Sequence, residues 1–344
     1  MREKAFFALM AVCLMVSGCG GDGGVSTGSE QASPADIEAD YAVIDELYDN
    51  EASDQEKLAA SVAFLEKYPE SDHTLGLVGD VFYFMGNQAG DMEGAIEFAE
   101  QIRSAVADPE LAGDFDRRLI SWYGDAGMTA KMIAIVDRFE QNGAIRFGDY
   151  VRAINSTLAL EEWTLVREFC SKAQLKANAA TWRAEWPDTE ATDEEAEAAG
   201  LNRQGMLLVK DSWAQANLGE VEEALTGLER AGEIVYTSYI GAPAENLNYY
   251  WGKARMMQGD AEGAIEKFAL DALIAGDQDA VVELKLAYAA ARGSDDGYDT
   301  WSCRERQRIA KPAADFELPD LDGARHQFAD LRGEVTLLNF WSPT

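Results

Sequence analysis

Three stretches of this chain repeat one pattern. "GDMEGAIEFAE" begins at Gly90, "GDAEGAIEKFA" begins at Gly259, and "LGEVEEALTGLERA" at Leu218 has the same shape. In each, a glycine and an acidic residue close one helix, and an amphipathic start opens the next. A small alanine, Ala95, Ala224 or Ala264, then falls where a neighbouring helix must approach closely. Between about residue 36 and about residue 297, apolar positions recur at i, i+3 and i+4 and β-branched runs are few, which is the period of a helix and not of a strand. One such unit cannot bury its apolar face alone, whereas stacked copies share a continuous core.

Alignment on the alanines sharpens the pattern. In the last copy Gly252 lies twelve residues before Ala264, and Phe268 lies four after it. In the middle copy Ser212, Ala224, Leu228 and Ala231 take small, small, large and small positions. This order resembles the tetratricopeptide repeat, and "EKYPES" around Pro69 resembles its terminating proline. The spacing departs from the family's period of about 34 residues, since Ala224 to Ala264 is 40. The resemblance implies a mainly α chain, an α-solenoid of helical hairpins over residues 36–300, whose inner surface can hold an extended peptide or a protein.

Weaker hairpins are expected in the gap between Gly124 and Ala173. Trp163, Val166, Phe169 and Cys170 fall on one stripe there, so Cys170 is expected to be buried and inert. The aromatic group "NYYW", residues 248–251, fits either a groove lining or the core. In the charged stretch 188–200, Thr192 and Glu195 have capping-box spacing; a calcium site is the alternative, but the stretch lacks the loop glycine.

The surface these helices carry is strongly acidic, with 62 Asp and Glu against 29 Lys and Arg and a formal charge of -33. Such a surface repels phosphate backbones, which argues against nucleic acid as a partner. It fits a soluble, self-repelling protein, or one with a cationic partner.

The chain opens as an export signal. "MREK" supplies Arg2 and Lys4, residues 5–16 are apolar but short for a membrane span, and "VSGC" ends at Cys19. This ending resembles the lipobox of bacterial lipoproteins. The resemblance implies a signal peptide over residues 1–18, cleaved ahead of Cys19, and a lipidated Cys19 that anchors the protein to the membrane of the cell envelope. More than one acyl chain suffices for stable anchoring, at roughly 0.8 kcal/mol per buried methylene. Residues 19–35, rich in Gly and Ser, then read as a tether with a reach of about 20 Å. Of the four cysteines, Cys13 leaves with the signal and Cys19 carries lipid. Cys170 and Cys303 remain in an oxidising compartment, where their pairing is open.

No self-contained catalytic set is visible. His73 and His326 are the only histidines, each read as a surface or loop residue, and no cofactor or metal site is expected. The tail has a different grammar. Pro312 and Pro319 fix extended segments, "DLDG" at residues 320–323 is a hairpin turn, and "RHQF" supplies the return strand. "ADLRG" makes a short turn, and "VTLLNFW" from Val335 is a nearly continuous apolar strand suited to the centre of a sheet.

Pro312, Asp315, Phe316, Leu318, Asp320, Asp322, Gly323, Leu331, Arg332, Gly333, Leu338, Asn339, Phe340 and Trp341 together resemble the opening of a TlpA/ResA-like thiol-disulfide oxidoreductase, a redoxin of the thioredoxin-like group. The likeness covers about a tenth of the chain. It implies that residues 308–344 are the truncated β-part of a thioredoxin-like domain. The nucleophilic cysteine of a C-x-x-C is then expected immediately after Thr344, at a helix N-terminus that favours the thiolate. The complete form is expected to exchange disulfides in envelope proteins, with the helices binding clients. A non-catalytic lipoprotein scaffold is the alternative. A peroxiredoxin fits less well, because the adjacent Pro343 and Thr344 do not supply the spaced proline and threonine of that pattern.

Overall fold

The structure, a computed structural model, describes residues 32–238, 243–310, 316–319 and 322–331. Cys19 and the signal expected before it lie outside the described residues, as do the strand expected from Val335 and the chain end at Thr344.

The described residues are mainly helical, with fifteen α-helices and one two-stranded sheet. The first eight are α1 (Pro34–Asp49), α2 (Asp54–Lys67), α3 (Thr74–Phe82), α4 (Met92–Ala105), α5 (Pro109–Asp125), α6 (Thr129–Gln141), α7 (Phe147–Ala159) and α8 (Trp163–Gln174). A short α9 (Ala179–Glu185) leads to the long α10 (Asp193–Asn217). Then come α11 (Val221–Gly232), α12 (Leu247–Gln258), α13 (Ala261–Leu270), α14 (Gln278–Arg292) and α15 (Tyr298–Ile309).

The sequence marks where these helices begin. Ser33, Ser53 and Thr192 each form a capping box with the acidic residue three positions on, so the expected Thr192–Glu195 pair is a helix start. The glycine-acid pairs of the repeat divide the work between them. Gly259 takes the left-handed conformation at φ 85, which favours glycine, and closes α12; Asp260 then accepts the Gly263 N–H and caps α13. Gly90 and Asp91 do the same ahead of α4. In the third copy Gly219 is left-handed, but Glu220 makes no side-chain cap.

Successive helices pack on one another along most of the chain; α5 also touches α7, and α10 touches both α8 and α12. The aligned small and large positions are where they meet. Ala95, Ala224, Ala264, Ser212, Leu228, Ala231 and Phe268 are all buried. A Cβ at Gly252 would lie 2.5 Å from ring carbons of Phe268, so only glycine lets α12 and α13 approach this far. Burying a side chain the size of Phe268 stabilises by about 1.5–3 kcal/mol relative to leaving it in water.

Two features depart from the apolar period. Helix α3 runs on into a π-helical turn, Tyr83–Gln88, and α13 into another, Asp271–Ala275. In the first, the Ala89 N–H donates to the Phe84 carbonyl at 3.0 Å, five residues back instead of four. The repeat pattern lapses in sequence after Asp295, yet α15 occupies residues 298–309. It has no fully buried residue and is held by Tyr298 and Trp301, whose rings lie 5.5 and 5.0 Å from that of Tyr288.

The expected hairpin is present. Strand β1 (Glu317–Pro319) pairs antiparallel with β2 (Arg325–Gln327), Leu318 opposite His326, and Gly323 in the intervening turn has φ 83. Phe316 and Phe328 stack at 5.0 Å beside it, and residues 328–331 form a 3-10 turn where "ADLRG" was read as a short turn.

Candidate functional site

Of the residues singled out for chemistry, Cys19 and the position following Thr344 cannot be placed among the described residues. Cys170 and Cys303 are both free thiols. Cys170 is buried on α8, where desolvation pushes its thiol up to about 12, so it stays protonated and weakly nucleophilic. Cys303 is exposed on α15. Iodoacetamide is expected to label Cys303 in the native protein and Cys170 only after unfolding, as peptide mapping by mass would show. Native labelling of Cys170 would contradict its burial.

His73 is more covered than a surface residue. Its ring stacks on Tyr41 with centroids 3.5 Å apart, and its Nε2 lies 3.1 Å from Glu38 Oε1. His326 is exposed on β2. Among the described residues no group of three or more His, Cys, Asp and Glu is placed to hold a metal ion, and no helix is long and apolar enough to cross a membrane.

Above Cys170, α8 and α10 leave an open groove of about 660 Å³. Thr164, Arg167, Ser171 and Leu175 line it from α8 and the residue after it, and Leu207, Leu208 and Asp211 line it from α10. The apolar stripe of α8 turns inward and buries Val166 and Phe169, which leaves this polar row facing the groove. Arg167 spans the upper end, with Nε 3.2 Å from Asp211 Oδ1 and Nη1 2.8 Å from Glu220 Oε2. Burial raises the Asp211 carboxyl above its ordinary range, opposed by the adjacent Arg167. Leu175 stands 81% exposed at the lower end. Apolar patches beside hydroxyls, the Gln174 amide and a charge pair suit the side chains of a bound polypeptide.

A second groove of about 630 Å³ meets the first at Thr164 and is lined by Ala130, Ile133, Trp163, Leu165 and Leu218. Trp163 also starts an aromatic ladder. It meets Trp213 edge-on at 6.2 Å, Trp213 stacks on Tyr250 at 5.0 Å, and Tyr250, Tyr249 and Phe268 follow at 5.7 and 6.1 Å. Tyr249 and Tyr250 of "NYYW" therefore belong to the packing between α10, α12 and α13. Trp251 is covered by Lys267, whose Nζ lies 3.2 Å from the ring centroid. Burial holds that ammonium below its ordinary range.

Neither a protein-family model nor a curated protein matches the chain.

Proposed function

We propose that this chain is an envelope lipoprotein of the redoxin group. Its helices form a tetratricopeptide-like solenoid that binds partner proteins, and residues 308–344 open a thioredoxin-like domain. The observation that carries the redox reading is the ordered run of matches from Pro312 to Trp341. The antiparallel pairing of β1 and β2 about Gly323 supports it, because that run requires a turn at "DLDG". The lipobox residues 16–19 support the anchor at Cys19, facing the periplasm or the exterior. The paired grooves flanking α8 support a peptide-holding role for the helices.

In the complete protein, a cysteine thiolate after Thr344 attacks one sulfur of a client disulfide. A mixed disulfide forms and the other client sulfur leaves as a thiolate. The second cysteine of the pair then attacks the mixed disulfide and releases the reduced client. The two electrons come from the cysteine pair, which ends as a disulfide and is returned by a dithiol reductant of the envelope.

The test is to express the reading frame continued past codon 344 and measure insulin reduction, with membrane fractionation of Cys19→Ala alongside. Insulin reduction by the continued form, lost when its paired cysteines become serine, is the expected result, together with release of Cys19→Ala from membranes. A folded continued form that carries C-x-x-C yet leaves insulin oxidised would overturn the redox reading. The second reading is the non-catalytic scaffold, favoured by the apolar and charge-paired lining of the grooves flanking α8, which suits a bound partner.

A further inference from the structure

Basic side chains are outnumbered two to one in this chain, 29 against 62, yet four arginines line a single cleft of about 410 Å³. They are Arg103 of α4, Arg117 of α5, Arg138 of α6, and Arg146 immediately before α7. Two buried carboxylates lie among them. Asp116 accepts two hydrogen bonds from Arg103, at 2.8 and 3.0 Å, and lies 2.7 Å from Nη2 of Arg138. Asp149, fully buried, accepts the Arg146 backbone N–H at 2.9 Å and lies 3.4 Å from Nε of Arg117 and 3.2 Å from Nη1 of Arg152.

Each carboxylate is thus shared between two guanidiniums. Arg117 also reaches Asp114 at 3.1 Å, but its Nε is buried and makes no hydrogen bond. The Arg146 side chain is exposed and has no ion pair among the described residues. Four guanidiniums line the cleft beside three carboxylates, Asp116 and, at the rim, Glu110 and Asp114, while Glu70, Asp72 and Asp108 line the adjoining pocket that shares Glu110 and Asp114. Arg117 and Arg138 are held in place over the Phe139 ring, at 5.0 and 5.8 Å from its centroid, so their forks are set before any ligand arrives.

We propose that this cleft binds the carboxylate side chains of an acidic peptide segment on a partner protein. Guanidinium forks match carboxylates two bonds at a time. The cleft is open along its length, and Asn142, exposed at the end of α6, offers an amide to a peptide main chain. The carboxylates of the adjoining pocket, Glu70, Asp72 and Asp108, oppose a long polyanion, so the ligand is a short segment held at the arginines away from that pocket. The inference deepens the partner-binding half of the function proposed above. It is independent of the redox half, since insulin reduction and membrane anchoring are measured without it.

The test uses the full chain with capped pentaglutamate and pentaglutamine peptides, read by fluorescence anisotropy. Pentaglutamate is expected to bind, more weakly as salt rises, and pentaglutamine is not. Arg138→Gln with Arg146→Gln is expected to weaken binding by about tenfold or more, each lost charge-assisted contact contributing to the drop. Arg103 keeps Asp116 paired in that variant and Arg146 has no ion pair to lose, so the fold should stand, as circular dichroism checks. The single Arg146→Glu serves as a second variant, and Arg292→Gln, whose residue pairs with Glu262 on distant helices, should bind as the parent does. Absence of pentaglutamate binding, or equal binding by the double variant, would overturn the proposal. So would displacement of the peptide by citrate or inorganic phosphate at equal concentration, which would make this a small-anion site.

Discussion

Replacing Phe268 with alanine should lower the stability of the α12–α14 region by about 3–5 kcal/mol, the usual cost of emptying a fully buried aromatic site. The ring has no exposed surface and packs against Gly252 of α12, which has no side chain that can move into the gap. It also ends the aromatic ladder through Tyr249, so its loss removes an edge contact as well as volume. Urea unfolding followed by circular dichroism would measure the shift. Gly252→Ala gives the complementary check. In the parent its Cβ strikes the ring and destabilises, whereas in Phe268→Ala it enters the vacated space and recovers part of the loss. Additive effects of the two changes would show that Gly252 and Phe268 are not the contact that sets the helix spacing.

Asp116→Ala should cost about 3 kcal/mol. The change leaves Arg103 and Arg138 facing each other across a space lined by protein, with the anion that joined three helices removed. The value sits at the low end for a broken buried pair because Arg138 is half exposed and can turn toward water. Asp116→Asn keeps an acceptor for one guanidinium and should lose less. Raising salt should narrow the difference between variant and parent by screening the arginine repulsion. An unfolding midpoint unchanged in Asp116→Ala would mean that the paired charges hold nothing together.

Much of the helical packing was legible because it rests on residue size at fixed spacing. Gly252, Ala264 and Phe268, or Ser212, Ala224 and Leu228, are forced choices wherever two helices come close, and their order survives without a strict period. Caps such as Thr192 with Glu195 were legible for a similar reason, since the bonding partner is three residues away. The arginine cleft was not. Asp116 is thirteen residues from Arg103, Asp149 is farther from Arg117, and the acidic total of the chain conceals a local excess of the opposite sign. Helix α15 escaped notice because only Tyr298, Trp301 and Ile309 hold it, too sparse a stripe to stand out among its charged residues. His73 lies in the turn before α3, as a loop residue should, but its stacking on Tyr41 of α1 was not legible because the two are far apart in sequence.

The two π-helical turns bear on how such a chain can change in length. On a regular helix one added residue rotates everything beyond it by about 100°, which would swing a buried face into water. Each wide turn ends within two residues of a glycine-aspartate pair, Gly90 with Asp91 and Gly276 with Asp277, where the glycine is left-handed and a fresh cap starts the next helix. A residue added there widens a ring that already spans five residues, and the left-handed glycine that follows separates it from the next helix. A single residue inserted at either seam is therefore expected to cost less stability than one inserted in mid-helix, as urea unfolding of the two variants would show.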